Sequence, residues 1–440
     1  MPSPRLTVIG TGYLGATHAA CMAELGFEVL GMDVDAAKIE TLSKGRTPIY
    51  EPGLADLLSK NLESGRLRFT TSYDDVAEFG DVHFLCVGTP QRPDGYAADM
   101  YQVEASLDGL LPRLRRPCTV VGKSTVPVGT AERIGERIKA EAPAGADVEL
   151  VWNPEFLREG FGVADTLHPD RLVFGITSPR GEEAMREVFT PQIEAGTPVV
   201  ITDLATAQLV KVAANAFLAT KISFINAMAE VCEASHADVT KLSEALAYDA
   251  RIGGRFLHAG LGFGGGCLPK DIRAFMARAG ELGVDQALSF LTQVDAINMR
   301  RRIRMVDLTL ELLDGDATGR RVGVLGAAFK PDSDDIRDSP ALDVATRLRE
   351  LGATVCVYDP AAMDNARRTY PALEYRESAV DAARDADIVL HLTEWREFRE
   401  MAPDALSSVV AQRNIVDGRN ALDPAVWRAA GWTYRALGRP

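Results

Sequence analysis

Residues Gly260 to Asp271 read G-L-G-F-G-G-G-C-L-P-K-D and combine a permissive backbone with a nucleophile. Five glycines in this stretch let the chain turn sharply and bring its N–H groups close to a ligand, because no Cβ stands in the way. They lead directly to Cys267. A thiol becomes a strong nucleophile when a positive charge, a helix N-terminus or a base lowers its pKa, and Lys270 and Asp271 stand within one helical turn. Covalent chemistry at Cys267 is one reading and a small hydrophobe packed behind a loop is the other; the rest of the chain weighs toward the first. From Asp203 to about Ala234 the pattern is that of a long helix, apolar nearly all round, with Lys211, Asn215 and Asn226 on one stripe. Facing inward, these three need polar partners; otherwise the stripe is the wet face. Glu155 and Glu159 follow a strand-like run and fall on one face if their segment is helical, as acid–base groups or as solvated charges.

A redox partner for the cysteine is written at the start of the chain. Leu6 to Ile9 is a β-prone run, followed by Gly10-Thr11-Gly12-Tyr13-Leu14-Gly15 and a helix-like segment ending at Gly26. This is G-x-G-x-x-G in its strand–turn–helix setting. A second run, Phe27 to Met32, delivers Asp33 about twenty residues past the first glycine, where a carboxylate accepts from a ribose diol and repels a 2′-phosphate. The spacing predicts NAD rather than NADP.

The elements that must position these groups are strands alternating with helices. Val82 to Val87 runs into Thr89, Thr119 to Gly122 into Ser124 and Thr125, and Val148 to Trp152 into Asn153-Pro154-Glu155. Such alternation predicts a parallel sheet with ligands at the carboxyl ends of its strands. The opening pattern returns at Arg321 to Leu325, Thr354 to Tyr358 and Asp387 to Leu392, with Gly326-Ala327-Ala328 in place of the glycine motif, so this copy should hold no second dinucleotide. Lys330, Arg337 and Arg419 follow strands of this copy, as phosphate partners or as surface charges. The fold class is α/β: two Rossmann-like doubly wound parallel sheets joined by a long central helical domain. The expected domains are 1–200, which binds NAD, 201–314, helical and dimerising, and 315–440, with a hinge at Gly315 to Gly319.

Composition excludes several classes. The chain has 440 residues, 46% hydrophobic and 25% charged, which predicts two or three globular domains. A net charge of −14 without a basic cluster argues against nucleic acid as a partner. No apolar run free of charges reaches membrane-spanning length, and the chain reads as cytosolic without a membrane partner. Six cysteines without a C-x-x-C pair and six histidines without H-E-x-x-H indicate neither a disulfide framework nor a metal site.

Taken together, G-T-G-Y-L-G, S-T-V-P-V-G, N-P-E-F-L-R-E-G, K-V-A-A-N-A-F-L, G-F-G-G-G-C-L-P-K-D and F-K-P-D-S-D-D-I-R resemble the motifs of the UDP-glucose/GDP-mannose dehydrogenase family, across nearly the whole chain. The resemblance implies NAD-dependent four-electron oxidation of a nucleotide sugar C6 alcohol to the carboxylate, through a cysteine thiohemiacetal and thioester. It implies Cys267 as nucleophile, Lys211 as the residue orienting oxyanion and water, Asp271 as its partner, and Asn215, Thr125 and Glu155 as the rest of the catalytic set. Implied cofactor contacts are Gly10, Gly12, Tyr13, Leu14, Gly15, Asp33, Lys38, Thr89, Ser124, Thr125, Glu159, Lys270 and Arg337. Implied sugar-nucleotide contacts are Glu155, Phe156, Leu157, Lys211, Asn215, Arg251, Phe263, Gly264, Lys330 and Arg419, and no metal is implied. Gly266 departs from the pattern, since many members carry serine there. The cysteine loop followed by I-R-A-F most resembles bacterial members acting on UDP-glucose; GDP-mannose, UDP-N-acetylmannosamine and dTDP-glucose are alternatives. A single-step hydroxyacid dehydrogenase or a non-catalytic NAD-binding protein would leave Lys211, Cys267 and Asp271 unexplained. The apolar helix predicts at least a homodimer, and the resemblance adds that Arg251 reaches the neighbouring subunit's substrate.

Overall fold

Two runs of alternating strand and helix account for most of the chain in the computed structural model, which describes residues 3–440. The first supplies strands β1 (Leu6–Ile9), β2 (Val29–Met32), β3 (Leu67–Thr70), β4 (Val82–Leu85), β5 (Cys118–Gly122), β6 (Val148–Trp152), β7 (Leu172–Gly175) and β8 (Val199–Thr202). They form one sheet in the order β3-β2-β1-β4-β5-β6-β7-β8, parallel except where Trp152 of β6 meets Gly175 of β7. The inner strands are buried on both faces because helices cover both sides of a parallel sheet. Alternate residues of β1 accordingly enter different apolar clusters, Leu6 and Val8 one, Ile9 the other.

The second run supplies β9 (Arg321–Leu325), β10 (Thr354–Tyr358), β11 (Glu374–Tyr375), β12 (Ile388–His391), β13 (Asn414–Asp417) and β14 (Thr433–Ala436). Their order, β11-β10-β9-β12-β13-β14, is parallel throughout and repeats the order of the first six strands of the other sheet. The recurrence expected at 321–325, 354–358 and 387–392 is therefore the correspondence of β9, β10 and β12 to β1, β2 and β4. Expected strand ends differ from the observed ones by up to two residues, since local propensity does not record where ladder bonds stop.

The chain folds into two compact units, one comprising residues up to Ala214 with Arg273–Gly283, the other Asn215–Ile272 with Val284–Pro440. The turn bearing Gly315 and Gly319 lies inside the second unit, so the hinge expected there is instead the link from the helix Phe290–Leu312 to β9. Two helices cross the division: Leu204–Ser235, counted with the first unit up to Ala214, and Leu268–Glu281, counted with the second up to Ile272. The former has 32 residues and is long and apolar enough to cross a membrane by length and composition alone. It carries Lys211, Asn215 and Asn226 buried, as expected of an inward stripe, and Glu233 on this helix pairs with Arg304 of Phe290–Leu312 at 2.7 Å.

Candidate active site

In the first unit, the glycines of the opening motif have three separate uses. Gly10 adopts φ +89°, which turns the chain out of β1. A Cβ at Gly15 would lie 1.8 Å from the Gly10 carbonyl oxygen, so only glycine lets the helix Tyr13–Glu24 start so close to the strand. A Cβ at Gly12 would meet nothing, and that open space adjoins a helix N-terminus with no side-chain cap and no acidic residue in its first turn. Uncapped N–H groups beside open space are what a pyrophosphate requires. At the end of β2, Asp33 accepts from the Thr11 N–H at 2.9 Å and from Lys38 Nζ at 2.9 Å. Burial pushes its carboxyl up, but the bonds from Lys38, Thr11 and Asp35 outweigh burial and hold it below the usual range. Asp33 is thus anionic where the ribose would lie, and these residues fit NAD. Thr89 donates to the Thr125 carbonyl at 2.7 Å and Ser124 to the Val87 carbonyl at 2.7 Å, which fixes both strand-end hydroxyls.

The segment Asn153–Glu159 is not helical, so Glu155 and Glu159 do not share a helix face. Pro154 favours extended backbone at Asn153, and Asn153 is anchored as a strand extension by its N–H to the Gly122 carbonyl at 2.8 Å. Its side chain accepts from Lys123 Nζ at 2.8 Å and donates to the Val173 carbonyl at 3.0 Å. Two residues on, Glu155 accepts from the Leu157 N–H at 2.7 Å and pairs with Lys211 Nζ at 2.9 Å. Both side chains are nearly buried, 12% and 6% exposed, so this ion pair is shielded from solvent. The Phe156 ring packs under Arg171, whose guanidinium carbon stands 3.7 Å from the ring centre. Lys123 itself is buried over Phe84 and Phe189, and burial pushes its pKa down to about 8.

In the second unit, Cys267 immediately precedes the helix Leu268–Glu281, and its carbonyl accepts the first helical bond, from Asp271 N at 3.0 Å. It is the one exposed cysteine of six. Burial pushes the thiols of Cys86 and Cys118 up to about 12 and about 11, whereas Cys267 faces solvent beside helix N–H groups that favour an anion. Asp271 is buried, accepting from Asn215 Nδ2 at 2.7 Å and Lys270 Nζ at 2.5 Å.

The glycines before Cys267 permit close packing of their loop. The Gly260 N–H donates to Asn226 at 2.8 Å, the Phe263 N–H to Asn298 at 2.8 Å, and the Gly265 N–H to the Arg337 carbonyl at 2.8 Å. A Cβ at Gly264 would lie 2.2 Å from the Asp338 carbonyl oxygen, and one at Gly265 would enter the Phe329 ring. A Cβ at Gly266 would lie 2.2 Å from the Arg337 guanidinium, the movable end of a flexible side chain, so a larger residue there requires Arg337 to shift.

The second sheet closes its own version of the dinucleotide turn. Asp359, at the end of β10, accepts from the Ala327 and Ala328 N–H groups at 2.7 and 2.9 Å and from Trp395 Nε1 at 3.1 Å. A protein carboxylate thus ties down the turn after β9. Arg419 donates to the carbonyls of Leu392, Gly262 and Phe329 at 2.7, 3.0 and 3.1 Å, a clamp on three loops that engages all three guanidinium nitrogens. Lys330 lies over the Phe329 ring. Arg251 is 89% exposed and pairs with Asp249, outside any cluster of the other candidates.

Sequence reasoning passed over Glu51, Lys123 and Asn298, all buried. Lys123 had a signal, as a lysine directly after a mostly apolar strand. Glu51 and Asn298 had none, because their partners are distant in the chain.

Three family models match in succession: the NAD binding domain of the UDP-glucose/GDP-mannose dehydrogenase family at residues 4–193, its central domain at 205–300 and its UDP binding domain at 323–424. The chain belongs to the UDP-glucose/GDP-mannose dehydrogenase family. Members similar to it include a UDP-glucose 6-dehydrogenase of Rhizobium meliloti (strain 1021), 41% identical over 99% of this chain and 100% of the relative. Another, of Bacillus subtilis (strain 168), is 40% identical over 99% of this chain and 97% of the relative. The structure of a UDP-glucose dehydrogenase from Pyrobaculum islandicum superposes with a TM-score of 0.91 at 37% identity, covering 100% of this chain and 98% of the other. A UDP-D-ManNAc dehydrogenase from Pyrococcus horikoshii superposes at 0.85 with 25% identity, covering 99% of both chains.

Proposed function

We propose that the chain oxidises C6 of UDP-glucose to the carboxylate of UDP-glucuronate. The observation that carries the chemistry is Cys267, exposed at a helix N-terminus one turn before a buried Asp271 held by Asn215 and Lys270. Supporting the sugar is the pattern of identity: about 40% along the whole length to enzymes named for UDP-glucose, 25% to one named for UDP-D-ManNAc. Bound NAD supplies the oxidant, accepting a hydride in each of two rounds. At the aldehyde level Cys267 adds to C6 as a thiolate, giving a thiohemiacetal and, after its oxidation, a thioester that water hydrolyses. Lys211, already charge-paired with Glu155, and Asn215 stabilise negative charge developing on the C6 oxygen. Thr125 completes the catalytic set, and Glu155, Phe156, Leu157, Phe263, Gly264, Lys330 and Arg419 hold the nucleotide sugar. Tyr13, Leu14, Asp33, Lys38, Thr89, Ser124, Glu159, Lys270 and Arg337 hold the cofactor with the three motif glycines.

The functional division follows three segments, 1–200 for NAD, 201–314 for catalysis and dimerisation, and 315–440 for the nucleotide sugar. The assembly is a homodimer on the helix Leu204–Ser235, supported by exposed Phe217, Phe224 and Val231, which repeat every seven residues and so line one stripe of that helix. Arg251 acts in the partner's site, consistent with its exposure. Five buried cysteines, Cys21, Cys86, Cys118, Cys232 and Cys356, form no disulfide, which suits a reducing compartment, the cytoplasm.

A panel of UDP-, dTDP- and GDP-sugars assayed for NADH formation tests the substrate: UDP-glucose should yield two NADH per molecule, and a better rate with another sugar would replace it. Mixing Arg251→Ala with Cys267→Ala chains should restore activity through the one site with both groups intact. A fully active monomer in sedimentation would overturn the dimer.

A further inference from the structure

Pro154–Glu159 carries Glu155 yet has no regular secondary structure, so something outside it must set its position. Its N-terminal end is fixed by Asn153, as described above. At the C-terminal end stands Glu51, whose carboxylate is buried. Glu51 accepts from the Gly160 N–H at 2.7 Å, from the Val163 N–H at 3.3 Å, and from the Tyr13 hydroxyl in a short hydrogen bond. The Gly160 N–H also reaches the Tyr13 oxygen at 3.1 Å. Gly160 has φ +79°, and a Cβ at Gly162 would lie 2.7 Å from the Tyr13 oxygen, so the backbone itself closes on this hydroxyl. Burial, and then the neighbouring Glu51, push the Tyr13 phenol far above its ordinary value, which keeps it a proton donor. Tyr13 is the first residue of the dinucleotide helix. The helix after Glu51, Leu54–Glu63, is itself tied to that helix, since Lys60 and Asn61 donate to Glu24 at 2.6 and 3.0 Å.

We infer that Glu51 is a positioning residue: it binds the end of the Glu155 segment to the start of the dinucleotide helix and so sets Glu155 against the cofactor, rather than adding to cofactor affinity itself. The motif glycines and Asp33 are not bonded to Glu51, so their hold on the dinucleotide survives its loss. The role rests on the reaction proposed above.

Glu51→Ala, Glu51→Gln and Tyr13→Phe are made in the full chain and compared with wild type in NAD titration without sugar, hydrogen exchange and steady-state kinetics. For Glu51→Ala the NAD Kd should stay within about two-fold of wild type while kcat falls about 10- to 100-fold, the scale of an ångström-level misplacement. Exchange across 153–163 should rise selectively, Glu51→Gln should recover part of both effects, and Tyr13→Phe should add little on top of Glu51→Ala. Unchanged exchange across 153–163, a kcat loss that only tracks the NAD Kd, or wild-type kcat would each overturn the inference. If Glu51→Ala does not fold, Glu51→Gln decides by the same readings. The binding and exchange measurements need no sugar, so a mistaken substrate shows as an inactive wild type while they still report on Glu51.

Discussion

Replacing Lys211 by alanine separates two things this lysine does. Its Nζ stands 2.9 Å from Glu155 Oε1, and both side chains are nearly buried. Breaking a buried ion pair from one side costs about 3–5 kcal/mol, because the remaining charge is left uncompensated. Glu155 retains the Leu157 N–H, so the lower end of that range applies. For a cooperative unit of about two hundred residues, about 3 kcal/mol lowers Tm by about 6–12 °C. The proposed loss of an oxyanion donor is a separate term, also about 3 kcal/mol, or about 10² in kcat. The assay is calorimetric Tm together with kcat for NADH formation, on Lys211→Ala, Glu155→Gln and the double variant Lys211→Met/Glu155→Gln. Removing both charges should return most of the lost stability, since no unpaired charge remains, while kcat stays low. A double variant that regains activity would reduce Lys211 to a neutraliser of Glu155. A Lys211→Ala enzyme within about three-fold of wild-type kcat would refute the oxyanion role outright.

Cys267→Ala should keep its circular dichroism spectrum, because the side chain is exposed, and should form no acid and at most one NADH per sugar; full turnover to the acid would end the thiolate mechanism. Asp33, anionic at the ribose position, should disfavour NADP by about 10²–10³ in kcat/KM, and comparable values for both cofactors would contradict that placement. Lys123 has its pKa depressed to about 8 by burial, so between pH 8 and 10 the unfolded chain binds more protons at this group than the folded one does. Stability from this group should therefore rise with pH through that window, by up to about 3 kcal/mol, and Lys123→Met should flatten the rise in denaturant titrations at stepped pH.

The chemistry-bearing residues that proved legible are those whose signal is local. Gly10, Gly12, Gly15 and Asp33 are readable because a strand, a turn and a helix N-terminus lie within one short stretch, and the observed φ of Gly10 and the packing of Gly15 are the reasons glycine stands there. Lys211, Asn215 and Asn226 were readable because helical periodicity places them on one face whatever the helix packs against. The segment after β6 leaves helix and extended chain both open on its spacing of four, and Pro154 with the anchoring of Asn153 keeps it extended.

By itself the sequence determined the two αβ repeats, the dinucleotide turn, the polar stripe of the long helix and a cysteine at the end of a glycine-rich loop, all consequences of periodicity, steric freedom or residue chemistry within a few positions. Only the tertiary structure decided that Gly264 and Gly265 pack against Asp338 and Phe329, that Asp359 ties down the turn after β9, that Arg419 clamps three loops and that Glu51 holds the Glu155 segment. Each of those depends on a partner many residues away, so its energy arises only when folding brings the two together and excludes water from between them.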